Sequence, residues 1–197
     1  MSKIKRTRLE ELKIQASILL KNLRSDDGEK ARKAAERFLD LPFPKFSNAD
    51  EVIENRSSIR LKHALTIIAL ENVYGNWELL KNKVIMEDCL FHNAPSSFLN
   101  VWFNNYEDAK HYQKDNGGYL LQYRKDYVIS QKEYIEAIDL GEMEEEWSAI
   151  GYDWANPDSK TAWDKLFEKA KHNYLNRKAV IGPINKDKRP KWLNNTM

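Results

Sequence analysis

Residues 61–86 read LKHALTIIALENVYGNWELLKNKVIM, and this run decides the fold. Its first part repeats apolar side chains at intervals of three and four residues, which is the spacing of one helix face. These positions are Leu61, Ala64, Leu65, Ile68 and Ala69. Gly75 fits the residue just beyond a helix end, where a positive φ is favourable. We therefore predict a helix over 58–74 that stops at Gly75.

A second helix follows directly in the same run. Asn76 is a favourable N-cap residue, and Trp77, Leu80 and Val84 then share an inward face. The two helices are predicted to form a tight hairpin with a two-residue joint. We expect the Trp77 ring to be buried against the first helix, where it would set the angle between the two.

The sequence upstream of the hairpin is also helical. Residues 3–24 carry one apolar stripe, and a second helix begins after a break at 25–28. Pro42 and Pro44 end that helix, because proline cannot continue one. The stripe of the first helix consists of Leu9, Leu12, Ala16, Leu19 and Leu23. Residues 1–94 are therefore predicted to form a helical N-terminal lobe.

Downstream, the pattern changes from helical to mixed. A loop at Pro95–Ser97 marks a boundary, and residues 98–103 are rich in strand-forming side chains. A helix over 105–116 stops at Gly117–Gly118. Residues 119–124 and 127–129 then read as two strands joined without a glycine. Helical patterns return and continue to Asn176.

These segments together define the predicted architecture. We expect a predominantly helical α+β protein, with the helical half packed on a small β-α-β-β unit that is followed by helices. The expected organisation is a lobe over 1–94, a second lobe over 95–176 and a basic irregular tail over 177–197.

Composition excludes several classes of protein. Hydrophobic residues make up 42% of the 197 residues and charged residues 31%, a balance typical of a globular chain. No stretch approaches 18 consecutive apolar residues, so we expect no membrane span and no membrane partner. The first eight residues precede no apolar segment, so we expect no secretory signal. A single Cys89 rules out an internal disulfide, and we expect a cytoplasmic location.

The net charge of +2 hides an uneven distribution. Residues 9–176 contain 22 Lys and Arg against 29 Asp and Glu, so an acidic body lies between two basic ends. Basic ends of this kind bind RNA or a ribonucleoprotein by neutralising phosphates. The alternatives are that they are solvated tails or that they lie on their own acidic body. The candidate polyanion-binding residues are Lys3, Lys5, Arg6, Arg8, Lys186, Lys188, Arg189, Lys191 and Trp192.

The predicted strands offer a second candidate surface. Their aromatic residues are interleaved with cations, a pattern typical of platforms on which RNA bases stack. The alternative is that these rings pack under the flanking helices. The candidate stacking residues are Trp102, Tyr119, Tyr123 and Arg124.

The hairpin and the region after it resemble a family of uncharacterised bacterial proteins. The hairpin matches over Tyr74-Gly75-Asn76-Trp77 and the following Leu80-Lys81, a short helical module ending in Gly-Asn/Ser-Trp-x-x-Leu-Lys. Further matching runs are 98–110, 117–121 and 149–154. The resemblance covers about residues 58–170 and implies a bacterial, cytosolic, α-rich protein. It implies no activity, so no catalytic residue is carried over.

No catalytic or metal-binding constellation emerges from the sequence. His63, His92, His111 and His172 have no metal-ligand spacing, and no cofactor is expected. A nucleophilic pair of Cys89 with His92 lacks an orienting third group, so a structural cysteine is favoured. The acidic residues at 142–146 match no calcium loop.

Three classes of function remain. A non-enzymatic interaction or regulatory protein is favoured, with RNA, a ribonucleoprotein or another protein as the partner. An enzyme that acts on a small molecule without a recognisable motif is the second. A helix-turn-helix regulator that reads DNA with the second helix of the hairpin is the third, although that helix begins with apolar and acidic residues.

Overall fold

A computed structural model describes residues 6–91 and 99–176. The protein is a predominantly helical α+β fold, as predicted from the sequence. The first half contains only helices within its described part. They are α1 (Arg8–Leu23), α2 (Gly28–Arg37), a 3₁₀ turn (Phe38–Asp40), α3 (Ala49–Glu54), α4 (Leu61–Glu71) and α5 (Trp77–Asp88).

The second half contains a small antiparallel sheet and further helices. Its three strands have the spatial order β1-β3-β2. The elements are β1 (Leu99–Phe103), α6 (Tyr106–Asn116), β2 (Tyr119–Tyr123), β3 (Asp126–Ser130), α7 (Lys132–Ala137), α8 (Glu144–Ala149) and α9 (Lys160–Asn176). This order of elements is the predicted β-α-β-β unit followed by helices.

Side chains alternate between the two faces of the sheet. Leu121 and Val128 pair across β2 and β3 and point to the main core, which also contains buried side chains of the helical half. Leu120 and Ile129 also pair and point to the other face, where they pack against Ala109 of α6. The sheet is therefore covered by helices on both faces along its middle.

The main core takes side chains from both predicted lobes. Leu19 and Ile67 from the helical half belong to the same buried cluster as Trp147 and Leu166 from the second half. The predicted boundary at Pro95–Ser97 lies outside the described residues. Within the described part, no helix is both long enough and apolar enough to cross a membrane.

The joint of the α4–α5 hairpin differs from the prediction. It spans residues 72–76, and the positive φ (67°) belongs to Val73 instead of Gly75. The Val73 N–H donates to the carbonyl of Leu70, and the Tyr74 N–H to that of Ala69, at 2.8 and 2.9 Å. This is the Schellman arrangement, which places the left-handed residue one position beyond the C-cap, here Asn72.

Trp77 also differs from the prediction, because its ring packs on the main core but stays half-buried. The joint is also longer than predicted, because five residues separate the end of α4 from the start of α5. The predicted cap is confirmed, since the Asn76 side chain accepts a hydrogen bond from the Leu79 N–H at 3.0 Å.

Val73 therefore has a strained backbone, and its side chain makes few contacts with the rest of the protein. A β-branched residue in the left-handed region costs about 1–2 kcal/mol, and Val73 is 93% exposed. Replacing Val73 with Gly should raise the free energy of unfolding by about 0.5–1 kcal/mol, since the chain entropy of Gly offsets part of the gain. Chemical denaturation of both proteins measures this difference, and a less stable V73G protein would contradict it.

Candidate nucleic-acid interface

Most residues of the two basic ends lie outside the described residues: Lys3, Lys5, Lys186, Lys188, Arg189, Lys191 and Trp192. Arg6 is exposed. Arg8 forms ion pairs with Glu87 and, at 3.9 Å, with Asp88 at the end of α5. Arg8 therefore lies on the acidic body of its own chain, which is one of the alternatives that the sequence left open.

The acidic pair at the end of α5 is electrostatically compensated. Burial alone would raise the pKa of Glu87, but hydrogen bonds from Arg8 and Lys83 outweigh it and lower that pKa. Burial raises the pKa of Asp88, while the charges of Arg8 and Arg124 act in the opposite direction. Cations from α1, α5 and the β2–β3 turn thus surround two carboxylates.

Three of the four predicted stacking residues lie together. The Trp102 and Tyr123 rings meet edge to face with centroids 5.9 Å apart, and the Arg124 guanidinium lies 5.2 Å from the Tyr123 centroid. Phe91 packs on Tyr123 at 4.7 Å. Trp102 is 47% exposed. We call Trp102, Tyr123 and Arg124 the aromatic surface.

The fourth predicted residue, Tyr119, lies in the core. Its ring is 7% exposed and packs edge-on against Trp147 and Tyr152, at 5.0 and 5.3 Å. Burial, reinforced by the nearby Glu144 carboxylate, raises the Tyr119 pKa to about 12. Tyr119 and Tyr123 share a sheet face but are separated by about 13 Å along the strand. Helices cover the face at Tyr119, so its ring is not available for stacking.

Arg124 occupies a strained position in the turn between β2 and β3. Its φ is 58°, a value that glycine adopts more easily than arginine. A glycine is typical at the first central residue of one common two-residue hairpin turn. The Arg124 side chain is exposed and forms no ion pair within 4 Å in the part of the chain that the structure describes.

A groove of about 430 Å³ lies beside Arg124. One wall is α5, and the opposite side is formed by the β2 edge and the loop before α9. Its lining combines indole rings with cations: Lys83, Met86 and Glu87 from α5, Gln122 and Arg124 from the hairpin, Trp154, Ala155 and Pro157 from the loop, and Lys160 and Trp163 from α9.

The groove opens where a short segment leaves the edge of β2. The Leu120 N–H donates to the Tyr152 carbonyl, and the Trp154 N–H donates to the Leu120 carbonyl, both at 2.9 Å. Residues 152–154 therefore run beside β2 and satisfy its edge at Leu120. The chain then turns away, and the edge is uncovered at Gln122, where the groove begins.

The buried carboxylate of Asp153 holds this turn in place. It is 1% exposed and accepts hydrogen bonds from the N–H groups of Ala155 and Asn156 at 3.1 and 3.0 Å. It also accepts from the Tyr106 hydroxyl at 2.6 Å and pairs with the Lys110 ammonium at 2.8 Å. Burial of the Tyr106 hydroxyl, together with its bond to Asp153, raises its pKa to about 12.

Two tryptophans that line the groove are in contact with each other. The Trp163 indole N–H donates to the Trp154 carbonyl at 3.1 Å, and the two rings lie 5.2 Å apart. Trp163 also stacks nearly parallel on Phe167, at 5.1 Å. The Lys160 ammonium lies 5.9 Å from the Trp163 ring centroid. The indole is thus held in one orientation with a cation beside it.

Sequence reasoning did not identify this groove. The sequence predicted helical patterns up to Asn176, and no functional role was assigned to Lys83, Lys160 or Trp163. The available signal was the loop at 154–157, where Trp154 precedes a helix start at Asn156–Pro157. That signal does not say which cations from distant segments would join it.

The catalytic alternatives gain no support from the described side chains. Burial raises the pKa of the Cys89 thiol to about 12, so the reactive thiolate is scarce at neutral pH. His63 accepts a hydrogen bond from the Arg60 N–H at 3.1 Å at the start of α4. Among residues 6–91 and 99–176, no cluster of His, Cys, Asp or Glu forms a potential metal site.

No family model, curated protein or solved structure matches this chain. The resemblance to a helical-hairpin family therefore stays a prediction, and function has to be argued from the aromatic surface and the groove.

Asp153 provides a test of how the groove is built. Replacing Asp153 with Ala should lower the free energy of unfolding by about 2–4 kcal/mol, because the Tyr106 hydroxyl and two backbone N–H groups lose their acceptor and the partly exposed Lys110 loses its ion pair. Asp50→Ala is the matched control, since it removes an exposed ion pair with Arg32 and should cost less than about 1 kcal/mol. Denaturant titration compares the two variants, and equal losses would contradict the role given to Asp153.

Proposed function

We propose that this protein is a non-enzymatic interaction protein that binds single-stranded RNA through the aromatic surface. The observation that carries the proposal is Arg124, an exposed cation that lies against Tyr123. Its charge acts on Asp88, but it forms no ion pair within 4 Å in the described part of the chain. A guanidinium beside the half-buried Tyr123 ring and near the exposed Trp102 ring favours both a phosphate and a base.

The backbone at Arg124 supports the same conclusion. A non-glycine residue in the left-handed region costs stability, and such residues concentrate at functional sites. Glycine would relieve the strain but would remove the only part of the residue that a nucleic acid can bind. An arginine at this position is therefore explained by binding better than by stability.

The shape of the surface favours unpaired nucleotides. Trp102 and Tyr123 meet edge to face, so each ring presents its own surface. Duplex DNA is instead read by a helix or a two-stranded ribbon that enters its major groove. Stacking on aromatic side chains requires bases that are not already stacked in a duplex. Lys83 and Lys160 lie near enough to line the groove next to Arg124 and add positive charge.

The basic ends remain a second predicted contribution to RNA binding. Residues 179–197 contain four cations and one acid, a net charge of +3. If this tail contacts phosphates, its deletion should lower the slope of log affinity against log salt by up to about three. Arg8 is excluded from this contribution while it is paired with Glu87.

The DNA-reading alternative has less support. The inward residues Leu80, Val84 and Ile85 of α5 are buried in the main core, and the first turn carries Glu78. An acidic start repels the phosphates that a recognition helix has to approach. The enzyme alternative depends on what the groove binds.

The proposal predicts that Arg124→Gly weakens RNA binding without weakening the fold. Fluorescence anisotropy with a labelled 12-nucleotide single strand should show a loss of affinity of about 10-fold or more, since one stacking and phosphate contact is removed. The same variant should unfold at an equal or higher denaturant concentration, because the strained φ is relieved.

Lys125→Gly is the matched control for this experiment. It removes the same charge from the adjacent turn residue, which does not line the groove. If only net charge matters, the two variants lose affinity equally, and the proposed site is wrong. No binding of the single strand by the unmodified protein, or tighter binding of duplex DNA of the same length, would overturn the proposed function.

A further inference from the structure

We infer that the groove beside Arg124 is a binding site for a nucleoside monophosphate. This inference deepens the proposed function. It rests on that function through one residue, Arg124, which belongs to both the aromatic surface and the groove. The ligand would be one nucleotide of a bound strand or a free nucleotide, which share the same chemistry.

The cations of the groove come from three separate elements. Lys83 projects from α5, Arg124 from the β2–β3 turn and Lys160 from the first residue of α9. All three line the same concave surface and carry N–H donors of the kind that a phosphate accepts. The first turn of a helix of 17 residues adds the positive end of its dipole at Lys160.

The one carboxylate in the lining does not cancel this charge. Glu87 is already paired with Arg8 and with Lys83, at 3.2 Å for the lysine. Its side chain is 16% exposed, so it presents little surface to a ligand. Lys160 pairs only with exposed Asp164 in the described part, at 3.0 Å, and can exchange this partner for a phosphate at low cost.

The apolar part of the groove fits a base. Trp163 is fixed by its stacking on Phe167 and by its hydrogen bond to Trp154, so its indole can bind a ring without first being ordered. Met86 is 43% exposed on α5 and offers a polarisable thioether toward the same space. A volume of about 430 Å³ lies within the usual range for small-ligand sites.

A purely apolar ligand fits this groove less well. Arg124, which has no ion pair in the described part of the chain, would lose hydration without gaining a partner, and this loss is costly. A phosphate without a base would make no ring contact with the Trp163 indole. The combination of both features in one cavity is therefore the argument for a nucleotide.

Isothermal titration calorimetry of the full chain with AMP tests this inference. AMP should bind, whereas adenosine and inorganic phosphate should each bind at least 10-fold more weakly, because each lacks one of the two contacts. Lys160→Ala should weaken AMP binding about 3–10-fold. Lys169→Ala is the matched control, an exposed lysine of the same helix outside the groove, and should leave AMP binding unchanged.

A second variant tests the indole directly. Trp163→Leu should reduce AMP binding by 10-fold or more, and circular dichroism should show whether the helix content is kept. If this variant fails to fold, Lys160→Ala decides alone, because its side chain is 83% exposed and contributes little to stability.

The outcomes separate the inference from the proposed function. No AMP binding by a protein that still binds single-stranded RNA through Arg124 overturns the groove as a nucleotide site and leaves the proposed function standing. AMP binding that depends on Lys160, by a protein that binds no RNA, supports the groove and identifies a free nucleotide as its ligand. AMP binding that is equal in the Lys160 and Lys169 variants overturns the inference.

Discussion

The buried Asp153 carboxylate is the interaction on which the arrangement around the groove depends. A carboxylate at 1% exposure is stable only if its charge and lone pairs are satisfied, and it accepts from Tyr106, Lys110 and two backbone N–H groups. These bonds join α6 to the segment that runs beside β2. The segment covers the sheet edge for three residues and then turns away, which positions Trp154 and opens the groove.

Two strained residues show how the same backbone conformation has different consequences. Val73 and Arg124 both have positive φ, at 67° and 58°, in short connections. Val73 satisfies the geometry of a helix end, and its side chain is almost fully exposed. Arg124 places a guanidinium beside Tyr123 and at the mouth of the groove. A strained backbone alone thus does not indicate function. The groups around the side chain determine whether the residue can bind a ligand.

Charge is distributed in the fold differently from its distribution along the chain. Arg8 belongs to the basic N-terminal end in sequence but compensates Glu87 and Asp88 in the structure. Arg124 and Lys160 belong to the acidic body in sequence, yet Arg124 has no ion pair in the described part and Lys160 pairs only with the exposed Asp164. The net charge of a sequence segment therefore does not show which cations can bind a polyanion. That depends on whether each cation forms an ion pair and on how exposed its partner is.

Local patterns in the sequence were sufficient for the elements of the fold. Helical spacing, strand-rich runs, Asn caps and the Gly117–Gly118 stop depend on neighbouring residues, so β2 and α6 were predicted with nearly correct bounds, whereas α4 is three residues shorter at each end than predicted. The sequence also named Trp102, Tyr123 and Arg124 as stacking candidates, but it did not place them together, because β3 lies between β1 and β2 in the sheet. Tertiary packing decided the burial of each ring. Tyr119 and Tyr123 share a sheet face, but the position of the helices buries Tyr119 and leaves Tyr123 half-buried. The groove likewise required tertiary structure, since Lys83, Arg124 and Lys160 come from distant segments whose meeting depends on long-range contacts.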